Sequence, residues 1–210
     1  MKIALFHNLP PGGAKRTVYE QARHLSRSHE LHLFRLSGTD EKFLSLYPFV
    51  KSIHSYPFRL FPNRAIADFQ KFFILPHIHR KMAQDMRADV ALIHADHYTQ
   101  APFILRYLKI PNLYFCQEML RLAYEPELAF VEPVVFFKRW YELATRRVRK
   151  SIDQKNISCA ARLFANSQFT ARSVLRTVGR AVTTCHLGVD TRVFRPLSGS
   201  RKNQILFVDQ

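Results

Sequence analysis

The residues with the clearest chemical potential are two glycines that follow an apolar segment near the start of the chain. Residues 2–7 are predicted to form a strand, and Gly12 and Gly13 separate it from an amphipathic helix. Such a turn lets backbone N–H groups approach a phosphate or hydroxyl closely, because glycine tolerates positive φ and presents no side chain. Lys15 is a candidate phosphate contact, with a solvated first-turn cation as the alternative. The spacing does not match G-x-G-x-x-G, so a nicotinamide cofactor is not indicated.

Histidine and carboxylate side chains follow a second apolar segment, at residues 89–94. His94, Asp96 and His97 stand at the end of this predicted buried strand. A strand would place His94 and Asp96 on one face, but no third ligand stands at a suitable spacing, so we expect no metal site. His94 remains a candidate ligand-binding residue, with a purely structural loop as the alternative.

A third group of candidates follows the predicted strand at residues 112–116. Gln117 can hydrogen-bond hydroxyl groups, but an amide cannot act as a general base. Glu118 is a candidate carboxylate for an incoming ligand, and Arg121 is either its ion-pair partner or a contact for an anion. A plain surface ion pair is the alternative for Glu118 and Arg121. We assign none of these residues as catalytic.

The elements that must position these groups alternate between strands and helices. This alternation favours an α/β fold, a Rossmann-like parallel sheet with helices on both faces and right-handed crossovers. Ligands of such sheets lie beyond the carboxyl ends of the strands, so residues 8–13, 94–97 and 117–118 are expected at one edge. Strands are predicted at 2–7, 30–36, 50–56, 89–94, 112–116 and 162–166, and helices after Gly13, at 63–86 with a break at Pro76, at 137–157, and at 167–178 behind a Ser167 cap.

The composition limits the class of protein. With 210 residues, 47% of them hydrophobic, the chain can bury a core, so general disorder is excluded. No apolar run of about 18 residues and no signal-peptide pattern is present, so neither a spanning helix nor a cleaved leader is expected. The three cysteines lack metal-ligand spacing and indicate reduced thiols in a cytosolic protein.

The charge departs most from an average protein. The chain has 32 Lys and Arg residues against 16 Asp and Glu, which gives a net charge of +16. Such a surface attracts nucleic acid, anionic lipid or phosphorylated ligands. The alternative is a solvated basic face without a dedicated partner. Residues 58–64, continued by 71–73, and 134–140 place aromatic residues beside Lys and Arg, as in interfacial helices on anionic lipid. Packing of these aromatic residues in the core or on another domain is the alternative. We expect no nucleic-acid partner, because none of the common recognition signatures is present.

Several motifs occur in the order found in one known enzyme family. Among them are residues 1–7 with Gly12-Gly13-Ala14, residues 114–118 followed by Arg121 and 124–126, and residues 153–156. The strongest are ANSQFT at 165–170, HLGVD at 186–190 and VFRP at 193–196. Over nearly the whole chain, these motifs resemble the N-terminal domain of retaining glycosyltransferases of family four, which have the GT-B fold.

The resemblance implies half of a two-domain enzyme. Such enzymes hold the acceptor mainly in the N-terminal half and a nucleotide-diphosphate sugar donor mainly in the C-terminal half, with no cofactor and no essential metal. It implies an acceptor domain at 1–187, an interdomain hinge at 188–204 and the first strand of a donor domain at 205–210. The donor-binding glutamate pair and basic residues would lie beyond Gln210. We therefore expect the chain to be inactive alone, with a separate donor-binding domain or chain as a partner.

The resemblance also implies a class of acceptor and a cellular location. It implies a sugar or lipid-linked acceptor and a cytoplasmic protein, peripheral at the inner face of an anionic membrane. Many relatives have a sugar-contacting histidine where Gln117 stands, so that role does not carry over. Two alternatives remain: a non-catalytic module that binds membrane or polyanion, and a basic Rossmann domain that binds nucleic acid. The donor- and acceptor-binding candidates are Gly12, Gly13, Lys15, His94, Gln117, Glu118 and Arg121.

Overall fold

A parallel β-sheet runs through the part of the chain that the computed structural model describes, which is residues 1–124, residues 136–196 and Ile205. Its strands are β1 (Lys2–Asn8), β2 (Glu30–Leu36), β3 (Ser52–Tyr56), β4 (Val90–Asp96), β5 (Asn112–Cys116), β6 (Arg162–Ala165) and β7 (Thr183–Thr184). Their order is β3-β2-β1-β4-β5-β6-β7, and every pair is parallel. The chain leaves β1 on one side and returns to β4 on the other, which opens a crevice beyond the carboxyl ends of these two strands.

Helices connect the strands, and the predicted α/β class is confirmed. Short 3-10 turns add to them at Tyr47–Phe49 and Phe103–Arg106. The α-helices of the described residues are α1 (Gly13–Leu25), α2 (Arg64–Phe69), α3 (Leu75–Asp85), α4 (Arg121–Tyr124), α5 (Phe136–Ser158) and α6 (Gln168–Val178).

Each face of the sheet carries its own hydrophobic core. Ile3 and Leu5 of β1 pack in one cluster with Val18 of α1. Ala4 and Phe6 point to the opposite face, because side chains alternate along a strand, and they belong to a second cluster that includes residues of α3, α5 and α6. Helices therefore cover both faces, as the alternation of elements predicts.

The helical region predicted at 63–86 consists of three consecutive segments. The side chain of Asn63 caps α2 by accepting hydrogen bonds from the N–H groups of Ala65 and Ile66. A π-helical segment, Gln70–Ile74, separates α2 from α3. Pro76 lies in the first turn of α3, directly after the π segment, so its missing N–H falls where the regular helical hydrogen-bond pattern is already interrupted. The predicted interruption is confirmed, although the irregular segment precedes the proline.

Some predictions differ from the structure or fall outside it. The strand predicted at 50–56 begins at Ser52, and β7 and α4 were not predicted because each is too short to show a period. The hinge at 188–204 is described only up to residue 196, and the donor-domain strand at 205–210 only at Ile205. Residues 125–126 of the family motif and 134–135 of the second basic-aromatic stretch also lie outside the described residues.

Candidate functional site

The segments that follow β1, β4, β5 and β6 meet at the carboxyl edge of the sheet. The Gln117 side chain donates from Nε2 to the carbonyl oxygen of Ala14 at 3.1 Å, which joins the end of β5 to the first turn of α1. The hydroxyl of Thr170 in α6 donates to the carbonyl oxygen of Gln117 at 3.4 Å. The N–H of His97 donates to the carbonyl oxygen of Asn8 at 2.8 Å. The edge predicted from strand order is therefore confirmed by direct contacts.

Gly12 is the residue of the turn that requires glycine. Its φ of 149° lies in the region that residues with a side chain avoid, whereas an added Cβ at Gly13 would meet no atom within 4 Å. In the part of the chain that the structure describes, no side chain caps α1, and its first turn has no acidic residue. The amino-terminal N–H groups of α1 are thus available to a ligand oxygen. The close approach predicted for both glycines depends on Gly12.

Lys15 is not the exposed cation that its position in a first helical turn suggests. Its side chain is fully buried, and its Nζ lies 2.5 Å from Oε1 of Glu41. The Nε2 of His7 lies 2.9 Å from the same oxygen, and the N–H of Leu46 donates to Glu41 Oε2 at 2.9 Å. The ammonium is therefore held inside the protein by a loop carboxylate, so it does not reach the phosphate contact proposed for it from the sequence.

The charges of this cluster follow from its contacts. Burial alone would raise the pKa of Glu41, but hydrogen bonds from His7, from the Leu46 amide and from Lys15 outweigh it and lower this pKa to about 2. Burial lowers the pKa of His7, whose Nδ1 accepts a hydrogen bond from the N–H of Leu9 at 3.4 Å. The Nε2 of His7 also lies 3.1 Å from the Nζ of Lys15, and Glu41 and Lys15 form a buried ion pair.

His94 also lies behind the edge rather than on it. Its imidazole is fully buried beside the ring of Phe115, with 5.7 Å between ring centroids. Neither ring nitrogen has a hydrogen-bond partner among the described residues. Burial lowers the pKa of His94 to about 3, so the ring is neutral. In this conformation His94 contacts no open surface, and its candidate role as a ligand contact stays a prediction.

A second polar cluster links the ends of β1 and β4, at the edge where residues 8–13 and 94–97 were expected, although the contact between Asn8 and Asp96 was not predicted. Asp96 is fully buried, and its carboxylate accepts hydrogen bonds from Nδ2 of Asn8 at 2.7 Å and from the Thr99 hydroxyl at 3.0 Å. The Thr39 hydroxyl donates to Oδ1 of Asn8 at 2.9 Å. Both Asn8 and Asp96 stand at the end of an apolar strand run, and this position is the signal that placed them at the edge. Their contacts fix the geometry of the crevice.

Three of the predicted site residues line an open cleft of about 620 Å³ between the β5–α4 segment and α6. Gln117, Glu118 and Arg121 lie on one wall. Arg121 Nε is 3.8 Å from Glu118 Oε1, and these side chains are 57% and 62% exposed, so the predicted ion pair is present but weak. The opposite wall is formed by residues of α6 and its cap, including Asn166, Ser167, Thr170, Ser173, Arg176 and Thr177.

A buried carboxylate, Asp153 of the 153–156 motif, supports this cleft from behind, a role that the sequence did not predict. The hydroxyl of Tyr124, which lines the cleft, donates to Oδ2 of Asp153 at 2.9 Å, and the N–H of Ala101 donates to Oδ1 at 3.1 Å. Burial raises the pKa of Asp153 to about 6, against the effect of these two hydrogen bonds. Asp153 thereby connects α5 to α4 at the edge of the cleft.

The hydroxyl of Ser167 accepts a hydrogen bond from the N–H of Thr170 at 3.2 Å, which confirms the predicted cap of α6. The three cysteines are free thiols. Over the described ranges 1–124 and 136–196, no group of three potential metal ligands lies together. No helix in those ranges has the length and apolarity needed to span a bilayer.

The motifs and the geometry of the edge agree with a comparison to known families. The sequence profile of Glycosyltransferase Family 4 matches residues 11–193. The chain belongs to glycosyltransferase family 4. The resemblance drawn from its motifs is thus confirmed.

Solved structures confirm the fold of this family 4 chain. HepE from Anabaena, in complex with UDP and glucose, is 18% identical with a TM-score of 0.55, and the match covers 94% of this chain and 47% of that one. UGT71G1 from Medicago truncatula, complexed with UDP-glucose, is 11% identical with a TM-score of 0.52, covering 91% and 52%. The chain spans about half the length of these structures. No curated protein matches its sequence significantly.

Proposed function

We propose that this chain forms the acceptor-binding half of a glycosyltransferase whose donor is a nucleotide-diphosphate sugar. The observation that supports the proposal is the cleft beyond β5 and β6, which is lined by amide, carboxylate and hydroxyl groups and adjoins the Gly12 turn. Saccharides are recognised by convergent donors and acceptors of these kinds. Membership in the family and the UDP-containing structures with the same fold support the donor class.

Each wall of the cleft has a role in this proposal. Gln117 already donates to Ala14 through Nε2, and its Oε1 receives no hydrogen bond from the described residues, so it can accept one from a sugar hydroxyl. Glu118 accepts hydroxyl hydrogen bonds from the open side of the cleft. Gly12 and Gly13 bring the uncapped start of α1 close to the transferred sugar and its phosphates.

Sugar transfer also requires a second wall. The diphosphate leaving group gains negative charge, which must be stabilised by preorganised donors and cations. The donor must also be held in reacting geometry with the acceptor. Lys15 cannot supply this charge because Glu41 neutralises it in the interior. We therefore propose that a donor-binding domain or chain completes the site, and that no metal or cofactor beyond the sugar nucleotide takes part.

The experiment is a titration of the chain with a panel of mono- and disaccharides, followed by ¹H–¹⁵N NMR. We expect shifts confined to residues 117–124 and α6, and weaker binding by Glu118→Gln. Glu20→Gln on α1 removes a carboxylate outside the cleft and is the matched control. The absence of saccharide binding would contradict the proposal. Rapid sugar transfer from nucleotide sugars by the chain alone would contradict the half-site.

A membrane-facing surface is a second proposed property, and exposed aromatic residues support it. Phe58, in the first basic-aromatic stretch, packs in the core, but Phe61, Phe69 and Phe73 are 61%, 56% and 61% exposed. Asp68 is the only acidic residue between Glu41 and Asp85. These three phenylalanines, together with Ile66 and Ile74, form what we call the aromatic patch.

The electrostatics of the aromatic patch favour an anionic surface. Asp68 is buried, and its carboxylate accepts hydrogen bonds from Arg149 at 2.8 and 3.0 Å and from the Tyr141 hydroxyl at 2.8 Å. Its negative charge is thus neutralised inside. Arg64, which pairs with Glu142, and Lys71, whose Nζ lies 3.7 Å from Asp68, stand beside the exposed rings. Together with Arg149, these cations exceed the two carboxylates by one charge, which suits a headgroup region that is both apolar and negatively charged.

Vesicle co-sedimentation tests this property. We expect binding to vesicles that contain phosphatidylglycerol, and loss of binding in the double variant Phe69→Ser/Phe73→Ser. Phe169→Ser is the matched control, because Phe169 is 75% exposed but lies outside the aromatic patch. Equal binding to neutral and anionic vesicles would contradict the proposal. A steeply salt-dependent affinity for DNA or RNA that exceeds vesicle binding would instead favour the nucleic-acid alternative.

A further inference from the structure

The α6 wall of the cleft comes from a stretch of chain without acidic residues. Between Asp153 and Asp190 the sequence contains no Asp or Glu and five Lys or Arg residues. The whole stretch therefore carries uncompensated positive charge, and α6 lies in its centre.

The arginines of this stretch differ in what they contact. Arg180 donates to the carbonyl oxygens of Ser158 and Ala160, and Arg172 donates to Gln168 Oε1. Arg176 lines the cleft, is exposed, and makes neither an ion pair nor a hydrogen bond with the described residues. Its guanidinium is the cation on this wall that is available to a ligand.

Hydroxyl groups accompany Arg176 on the same face of α6. Ser167, Thr170 and Ser173 recur every three residues and all line the cleft, because residues three apart share a helix face. The hydroxyls of Ser167 and Thr170 are engaged at the helix start. The hydroxyl of Ser173 has no partner among the described residues, and it lies one turn before Arg176.

The opposite wall has a different character. Glu118 suits the hydroxyls of a saccharide, and its pair with Arg121 leaves this wall without a net charge. Met119 and Tyr124 give the cleft an apolar part on which a sugar ring can pack. The cleft is therefore divided between a side suited to neutral hydroxyls and an α6 side suited to an anion.

We propose that the cleft takes a saccharide that carries a phosphate, with the sugar toward Glu118 and the phosphate bound by Arg176 and Ser173. A guanidinium matches a phosphate by two parallel hydrogen bonds, and a neighbouring hydroxyl adds a third. The inference rests on the proposed function, acceptor binding in this cleft, and names the chemical class of that acceptor. The phosphate belongs either to a soluble sugar phosphate or to a lipid headgroup.

The test compares three probes by calorimetric titration of the full chain: glucose 1-phosphate, methyl glucoside and glycerol 3-phosphate. We expect glucose 1-phosphate to bind at least about tenfold more tightly than methyl glucoside, since one charge-assisted contact is worth that factor. Arg176→Gln should remove this preference, and it should weaken the binding of methyl glucoside far less than that of glucose 1-phosphate. Arg172→Gln is the matched control, because it removes the same charge from α6 one turn away.

The outcomes separate this inference from the proposed function. If methyl glucoside and glucose 1-phosphate bind equally, or if Arg172→Gln weakens phosphate binding as much as Arg176→Gln, the inference is wrong while acceptor binding stands. If neither sugar binds, the proposed function fails as well. Glycerol 3-phosphate binding that approaches that of glucose 1-phosphate assigns the phosphate to a lipid headgroup, and its absence assigns it to a sugar phosphate. Arg176→Lys should restore part of the preference, because it keeps the charge but loses the fork geometry.

Discussion

Replacing Glu41 by glutamine should be among the most destabilising single substitutions that remove a charge from this protein. Glu41 is the carboxylate that neutralises the fully buried ammonium of Lys15, at 2.5 Å. Its loop supplies the Leu46 N–H as a further donor, and His7 approaches from β1. Glu41→Gln keeps the shape of the side chain but leaves the ammonium facing a neutral amide.

The magnitude follows from burial. The side chains of Lys15 and Glu41 are 0% and 5% exposed, so water does not screen the charge that remains. Removing one partner of a buried pair costs about 3–5 kcal/mol, and the amide oxygen that stays behind favours the lower end, about 3 kcal/mol. For a chain of this size that corresponds to a fall in Tm of about 6–12 °C. Lys15→Met should cost less, because His7 can take up a proton beside the remaining carboxylate.

Urea unfolding followed by circular dichroism measures the change in the free energy of unfolding. The double variant Lys15→Met/Glu41→Gln should recover part of the loss, because no uncompensated charge remains. Glu20→Gln breaks the exposed pair with Arg23 on α1 and should cost less than about 1 kcal/mol. A cost for Glu41→Gln as small as for Glu20→Gln would refute the reasoning. In acid, the stabilisation by Glu41 should be present above its ordinary pKa of 4.5 and be lost as the pH falls toward about 2.

Three further predictions concern the turn, the buried imidazole and the cap. Gly12→Ala should lower the free energy of unfolding by about 1–2 kcal/mol, because the φ of Gly12 is positive. Gly13→Ala should be neutral or stabilising by up to about 1 kcal/mol, because an added Cβ meets no atom there. Equal effects of the two substitutions in thermal melts would contradict this. His94 has its pKa lowered from 6.5 to about 3, so the unfolded state alone gains a proton between these values. The wild type should therefore lose about 2 kcal/mol more than His94→Leu between pH 7 and pH 5, and parallel stability curves would disprove it. Ser167→Ala should cost about 1 kcal/mol in urea unfolding, and no change would show that the cap contributes nothing.

The fold was largely predictable because its elements are long and regular. The apolar runs of β1, β4 and β5 and the periodicity of α5 leave little choice of structure, and strand–helix alternation then dictates a parallel sheet. What escaped prediction is short or locally irregular. β7 has two residues, Thr183 and Thr184, and α4 has four, too few for any pattern to emerge. Pro76 signals the interruption, but the π segment before it has no signal of its own, because its residues are as apolar as those of an ordinary helix.

The candidate site was predictable at its edge but not in its interior. Strand ends give the positions of Gly12, Gln117 and Glu118, since the carboxyl ends of parallel strands share one side. The burial of Lys15 depends on Glu41, 26 residues later in a loop, and no periodicity relates these two positions. The same holds for Asp153, whose partners Ala101 and Tyr124 belong to distant segments. Tertiary pairing of polar groups is the information that one sequence lacks.

The interior contacts explain which part of this edge can choose a ligand. Asp96, Asn8 and the Nε2 of Gln117 are already hydrogen-bonded to protein partners, so the crevice is built before any ligand arrives and little ordering is needed on binding. A group whose bonds are satisfied internally gains little by exchanging them for a ligand. Discrimination between ligands must then come from groups that still face water, of which Glu118 and Arg176 stand on opposite walls of the cleft. Because these two side chains carry opposite charges, the cleft should distinguish the two ends of one molecule. Substitutions of Glu118 or Arg176 should therefore change which saccharide binds while leaving the stability of the fold nearly unchanged.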